Sequence, residues 1–492
     1  MAQFMRESDA LSWYLESDPV LRSTVVAVAW LDRSPVWETL AGKVEQATRF
    51  LPAFRQRVVE LPARLTGPRW AVDPEFDLAW HLHRMDAPAP RGPEVVLDLA
   101  RREAMTGFDR SRPLWQFTLV EHLEGDRAAL VMKLHHSLTD GVGAMQLAVR
   151  LFDDRRAPGR GAVAPPAPEG ESPAPVGLLA EQLRWRWTRA TRLAGSQLRA
   201  AAPLAVATAR RPGRAARVAL DTARSIGRTV TPVGATLSPL MTARGRGRHL
   251  DVSEVDLDEL KQAAASAGGS VNDGFLAAVT GGLRRYHEQR GAVVERLRVM
   301  MPISIRRPDD PIGGNRITLM RFTVPVGEPD PRLRIASIER RCRIARNERS
   351  LAYTNAIAGA LVLLPPAAVG SLFKRVDFVA SDVPGFTAPV YLAGAEVERY
   401  VAFGPTTGTA LNVTLLSYRG RCSTGVTIDT AAVDDPAALV GCLRAGFDEV
   451  LALGPGRRAV GAASVAAAPR TPAGAGARPA ARRTRGHSEL RG

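Results

Sequence analysis

The run Val131-Met132-Lys133-Leu134-His135-His136-Ser137-Leu138-Thr139-Asp140-Gly141 constrains this chain more than any other stretch. An apolar strand pattern over residues 127–134 ends at two adjacent histidines. Residues 141–152 (GVGAMQLAVRLF) then take up the spacing of an apolar-faced helix. Upstream, a strand pattern over 116–120 turns at Glu124-Gly125-Asp126 into the same run, so the histidines are expected to close a β-hairpin. Side chains alternate faces along a strand. His136 therefore shares a face with Leu130, Met132 and Leu134, while His135 lies with Val131 and Lys133. One imidazole leaves an apolar face at a strand end, with Asp140 in the following turn. That is a place for a general base.

The rest of the chain reads as two mixed α/β units with a connector between them. Residues 1–154 carry strand patterns at 22–31, 54–59, 70–73 and 116–120 and helix patterns at 37–50 and 98–105. Residues 155–250 begin as a Pro-, Ala-, Gly- and Arg-rich stretch, read as a flexible crossover. From 178 to 217 they turn helical and basic, with Trp185 and Trp187 among Arg184, Arg186 and Arg189. That pattern suits either a solvated surface helix or an interfacial one attracted to anionic lipid. Residues 251–453 form the second unit, with helix patterns at 255–267, 274–288 and 331–347 and strand patterns at 297–305, 318–326, 376–381, 411–418 and 423–428. Residues 356–373 are uncharged over the shortest length that spans a bilayer, but Pro365-Pro366 interrupts them, and two packed helices are expected. Residues 454–492 read as a disordered basic tail.

Charge excludes one class of function. The 492-residue chain has a net charge of +16, yet residues 155–250 hold seventeen Arg against four acidic residues, and 455–492 eight Arg against one Glu. The folded units are thus mildly acidic, and no basic face with interleaved aromatics presents itself to nucleic acid. Cys342, Cys422 and Cys442 have no metal-ligand spacing, so neither a zinc site nor a disulfide framework is expected. The N-terminal residues lack an apolar signal-peptide core, and a reducing cytoplasm fits the cysteines.

HHSLTDG resembles the HHxxxDG signature of the CoA-dependent acyltransferase superfamily. The surrounding motifs resemble one branch of it, the bacterial wax ester synthase/diacylglycerol acyltransferase family. They are Pro113-Leu114-Trp115, Asn272-Asp273, Met301-Pro302-Ile303-Ser304-Ile305-Arg306 with Gly314-Asn315, Ser381-Asp382-Val383-Pro384-Gly385, Ser417-Tyr418-Arg419-Gly420, and Asp429. They keep the family's order over nearly the whole chain apart from connector and tail. Two positions depart from it. Asp382 stands where Asn is usual, and Pro19-Val20-Leu21-Arg22-Ser23 stands where many members carry a PMH-type sequence.

The resemblance implies two chloramphenicol-acetyltransferase-like lobes, joined by the long basic linker, with a channel between them and His136 at its centre. It implies acyl-CoA as co-substrate, no other cofactor, no metal, and a lipid alcohol as acceptor: diacylglycerol, a long-chain alcohol, or both. His136 would be the general base, His135 a supporting residue, and Asp140 with Gly141 the support of the turn. Pro113, Leu114, Trp115, Asn272, Asp273, Ser381, Asp382, Pro384 and Gly385 become candidate substrate-binding residues. Trp115 could equally be core, Asn272-Asp273 only a helix start, and the Pro-Gly pair only a turn. The sequence does not identify the oxyanion donor, for which Asn272 is a candidate. Peripheral attachment to the inner membrane face or to lipid inclusions would follow. Two other readings stay open: a condensation-type domain acting on carrier-bound thioesters, and a catalytically silent lipid-inclusion protein.

Overall fold

The computed structural model describes residues 3–61, 67–138, 141–157, 163–188, 191, 212–304 and 317–455. In chain order its strands are β1 (Gln3–Phe4), β2 (Thr24–Leu31), β3 (Gln56–Val59), β4 (Arg69–Val72), β5 (Leu82–Asp86), β6 (Trp115–Leu123), β7 (Arg127–His135), β8 (Arg248–Asp256), β9 (Arg296–Ser304), β10 (Ile317–Pro325), β11 (Phe378–Val383), β12 (Tyr391–Leu392), β13 (Ala395–Phe403), β14 (Leu411–Tyr418) and β15 (Arg421–Asp429). They make two six-stranded sheets, ordered β12-β13-β2-β7-β6-β5 and β10-β9-β11-β14-β15-β8, and a small one of β1-β4-β3. This is the two-lobed α/β architecture expected above.

The histidine strand is central in the first sheet, and its sequence explains why. Ala128, Leu130, Met132 and Leu134 join one apolar core, and Ala129 and Val131 join the core on the other face. A strand covered on both faces reads as a continuous apolar run. Lys133 is the exception. Its ammonium is buried, lies 3.0 Å from Glu103, and donates to the Gly107 carbonyl at 3.2 Å. Burial pushes its pKa down, and Glu103 opposes the shift. The predicted hairpin is present, with Trp115 opposite Leu134.

The lobes are not two consecutive pieces of chain. β12 and β13 come from the second half, yet β13 pairs antiparallel with β2 in the first sheet, Phe403 lying opposite Val26 and Val401 opposite Val28. The expected unit 251–453 therefore gives a β-hairpin to the other lobe. Tyr418 fastens this exchange: its hydroxyl donates to the Val397 carbonyl at 2.6 Å and accepts the Val390 N–H at 3.1 Å.

Two further expectations are revised and a third holds. Residues 248–256 form strand β8 before the helix Leu257–Ala265, because they pair along the edge of β15, Thr424 opposite Ser253. The crossover is tied down at Glu171, whose N–H donates to the Val72 carbonyl at 2.8 Å and whose carboxylate meets Arg69 at 2.6 Å. Residues 356–373 break, as predicted, into Thr354–Val362 and Pro366–Gly370. Among the described residues no helix is long and apolar enough to cross a membrane. The tail from residue 456 onward lies outside the described residues.

Candidate active site

Backbone hydrogen bonds fix the two histidines on both sides. The His135 N–H donates to the Leu114 carbonyl at 3.0 Å, and the His136 N–H to the Ser23 carbonyl at 2.9 Å. The Leu138 N–H then closes the turn on the His135 carbonyl at 3.0 Å. Alternation separates the rings as the sequence required. The His135 ring is fully buried, with Trp13 and Phe108 meeting it edge-on. Its Nδ1 accepts the Ser137 N–H at 3.1 Å, which leaves the ring proton on Nε2, 3.4 Å from Glu16. His135 is thereby occupied in holding the strand end.

His136, half-buried, lines a cavity of about 540 Å³ together with Met132 and Leu134 of its own strand. Both lobes build this cavity. The helices Glu7–Leu15 and Gly141–Leu151 contribute Leu11, Leu15, Met145 and Leu151 from one side. From the other side come Met300, Phe322, Ile357, Leu361 and Leu416. The size falls in the range of ligand pockets, roughly 300–1,000 Å³, and the largely apolar wall suits acyl chains.

The predicted substrate residues divide into those at the cavity and those behind it. Ser381 lines it, opposite Thr414 of β14, which lines it too. Asp382, next along β11, is exposed and is not among the lining residues, so its charge does not enter the wall. Pro384 and Gly385 also lie off the wall. Gly385 has a packing reason: a Cβ there would sit 1.9 Å from the Ser417 carbonyl oxygen, and its N–H donates to Ser417 Oγ at 3.0 Å. Two of the motifs thus close on each other.

Pro113, Leu114 and Trp115 are buried scaffold. The Trp115 indole N–H donates to the Phe54 carbonyl at 2.8 Å, and its ring stacks on His81 at 4.6 Å. Asn272 and Asp273 head the helix Val271–Gln289, away from the cavity. The Asp273 carboxylate accepts the Ser270 N–H at 2.9 Å and the Ser270 hydroxyl at 2.6 Å, both on Oδ2, a capping box that gives it a part in starting the helix. Asn272 packs toward Cys342, so it is not placed to stabilise an oxyanion at His136. Gly141 begins the helix after the turn. Asp140 and residues 305–316, with Arg306 and Gly314-Asn315, lie outside the described residues.

Sequence reading missed polar groups that do line the cavity. Asn412 and Thr414 lie two residues apart on one face of β14, where Asn412 Nδ2 donates to the Pro405 carbonyl at 2.8 Å and Thr414 Oγ1 donates to Asn412 Oδ1 at 2.9 Å. Gly404 permits this arrangement, since a Cβ there would stand 2.5 Å from Asn412 Nδ2. The available signal was two polar residues at period two in the otherwise apolar LNVTLL.

Comparison with known proteins gives this geometry a family. Residues 5–275 match the wax ester synthase/diacylglycerol acyltransferase catalytic domain, and residues 313–450 match the C-terminal domain of the same family. The chain belongs to that family. Among its relatives, a Mycobacterium tuberculosis protein bearing a diacylglycerol O-acyltransferase name is 35% identical over 449 residues, 90% of each chain. A second from that organism, similarly named, is 30% identical across 90% of this chain and 96% of its own. The fold is shared with the wax ester synthase/diacylglycerol acyltransferase of Marinobacter aquaeolei VT8, with a TM-score of 0.60 and 20% identity over 91% of this chain and 98% of that one. It is also shared with a starter condensation domain of rhizomide synthetase solved with C8-CoA, with a TM-score of 0.57 and 12% identity over 92% of this chain and 95% of that one. The chain is thus an acyl-CoA-dependent O-acyltransferase, as its motifs led us to expect.

Proposed function

We propose that this acyltransferase esterifies a lipid alcohol, diacylglycerol or a long-chain alcohol, with His136 as general base. The observation that carries the proposal is the His136 imidazole in the wall of a large apolar cavity built by both lobes. A neutral imidazole accepts the proton of the acceptor hydroxyl as its oxygen attacks the thioester carbonyl. The tetrahedral intermediate then collapses, the C–S bond breaks, and the imidazolium returns the proton to the departing CoA sulfur. The oxyanion needs donors in place before the reaction. Asn412, whose amide keeps a second N–H beyond the one given to the Pro405 carbonyl, is a polar group of the cavity wall and replaces Asn272 in that part, with Thr414 holding its Oδ1. For Asp140 the proposal keeps what the HHxxxDG resemblance implies, support of the turn. The test is purified protein with palmitoyl-CoA and either 1,2-dioleoylglycerol or hexadecanol, following thiol release and neutral lipid. Ester from at least one acceptor is the expected result, and thiol release without ester from any alcohol would reject the proposal.

We further propose peripheral attachment to a membrane or lipid inclusion through the helical residues 175–188. Leu179, Leu183 and Trp187 recur every fourth residue and are 43%, 59% and 74% exposed, with Arg184 and Arg186 exposed beside them. An apolar stripe flanked by cations is the pattern of an interfacial helix. The opposite face docks on the protein through buried Leu178 and Gln182. Leu183→Asp with Trp187→Asp should abolish most flotation with phosphatidylglycerol vesicles and leave the melting temperature unchanged. Undiminished flotation of the double variant would remove this helix from the account.

A further inference from the structure

Residues 350–373 hold no charged side chain, and beyond Asn355 their helix Thr354–Val362 is apolar on every face. The inner face, with Thr354, Ile357, Ala358 and Leu361, lines the main cavity. The outer stripe runs from Tyr353 through Ala356 and Ala360 to Leu363 and Leu364, all of them exposed, Leu363 by 82%. A helix apolar all round is normally covered on all sides, by protein or by lipid. Here one face already belongs to the cavity, and the other stands in water.

Two observations say what covers it. The first is the turn that follows the helix. The Leu363 N–H donates to the Ala360 carbonyl at 3.2 Å and the Leu364 N–H to the Leu361 carbonyl at 3.0 Å, while Pro365 and Pro366 have no N–H to satisfy. The tip at residues 363–366 thus presents no unpaired backbone donor, which is what entry into hydrocarbon requires. The second is charge. The helix Pro331–Arg346 and the turn Arg349–Tyr353 lead into the apolar segment, and Arg343, Arg346 and Arg349 are exposed there. Arg343 and Arg349 join Arg224 and Arg228 of the helix Pro212–Val230 around an outer concavity of about 440 Å³, against Asp221 and Glu348. Arg228 is paired with Glu348 and Arg343 with Glu339, but Arg224, Arg346 and Arg349 have no ion pair among the described residues. Arg228, Glu348 and the 66%-exposed Ile344 line both this concavity and the main cavity, so the two adjoin.

We propose that this face is a port onto lipid. The tip at residues 363–366 enters the apolar layer of an anionic membrane surface, and the arginines meet the lipid phosphates. The acceptor then passes from the lipid into the cavity beside Ile344 without crossing water. An apolar stripe bordered by cations is the chemistry of interfacial binding. The proposal rests on the lipid-alcohol reading above and adds the route by which such an acceptor arrives. Attachment through residues 175–188 would hold the protein on a surface, whereas this face brings the cavity itself to it.

Cys342, Cys422 and Cys442 are buried, so a cysteine placed at the tip takes a thiol label selectively. Leu363→Cys carrying a nitrobenzoxadiazole should brighten several-fold on vesicles containing phosphatidylglycerol. Val293→Cys, at a residue 86% exposed in the loop ahead of β9, should not brighten. The label reads the tip alone, whatever residues 175–188 contribute. Arg224→Gln with Arg349→Gln should shift the midpoint of that titration about thirtyfold, since each arginine near an anionic surface adds several-fold to binding. Leu363→Asp with Leu364→Asp should raise KM for vesicle-borne 1,2-dioleoylglycerol about tenfold, with kcat and the melting temperature unchanged. The proposal fails if the label at position 363 does not respond, if it responds no more than the one at 293, or if the aspartate pair leaves that KM in place. A dimer that the aspartate pair splits into monomers would give the face to a second copy of the chain and overturn it equally. Brightening at position 363 with no ester formed by the wild-type protein would instead count against the proposed function and leave the port standing.

Discussion

Replacing His136 by Ala lowers kcat about 10²–10⁴-fold, the span that a positioned general base contributes. KM for donor and acceptor should change little, because the ring occupies a small part of a cavity of about 540 Å³ whose wall is largely apolar. Folding should be nearly unaffected. The backbone of the histidine pair is held by the Ser23 and Leu114 carbonyls, and those bonds do not involve the His136 side chain. His135→Ala should behave in the opposite sense. Its ring is buried between Trp13 and Phe108 and bonded to Ser137, so its loss lowers the melting temperature and reduces the amount of active enzyme. Steady-state kinetics beside thermal melts separates the two histidines. A His136→Ala enzyme with wild-type kcat would end the general-base assignment, and a His135→Ala protein that melts normally would end the structural one.

That division is legible in the sequence, since period-two alternation is a property of the strand and His135 and His136 fall on opposite faces of it. Strand β7, its hairpin partner β6, the helix after Gly141 and strands β11, β14 and β15 were readable for the same local reason. The exchange of β12 and β13 between lobes was not. Val401 pairs with Val28, from the opposite end of the chain, and nothing within AEVERYVAF announces so distant a partner. A bulge between Val397 and Arg399 also breaks its alternation. Strand β8 hid similarly, because RHLDVSEVD sits on a sheet edge and keeps polar residues on its open side. Motif matching marked Asn272-Asp273 and Trp115, but a motif does not state whether its residues touch substrate or hold what does. Asn412 and Thr414, which line the cavity, belong to no motif the sequence offered and were found only when both sheets had closed around them.

Trp115→Ala, accordingly, is a stability prediction, and a large one. The side chain is fully buried and packs against Phe54, His81 and Phe117. Truncating a buried Trp to Ala costs about 3–5 kcal/mol. Here the loss also strips the Phe54 carbonyl of its indole donor and the His81 ring of its stacking partner, while His81 Nδ1 stays 2.7 Å from the Trp115 carbonyl. Burial already pushes the His81 pKa down, so a cavity that admits water lets this ring take up a proton more readily. The folded and unfolded pKa values of His81 then lie closer together, so the variant's stability should fall less steeply with acid through this group than the wild type's, from its lower starting point. The consequence for function runs through the backbone. Trp115 sits opposite Leu134, and the Leu114 carbonyl holds the His135 N–H, so slack at Trp115 is passed to the strand end that presents His136. Denaturant midpoints should fall with the slope unchanged, and kcat should fall with KM nearly constant. Trp115→Phe should recover most of the midpoint, because it restores ring volume and gives up only the indole bond. A Trp115→Ala enzyme of wild-type stability whose KM alone had risen would move this residue from the scaffold to the cavity wall.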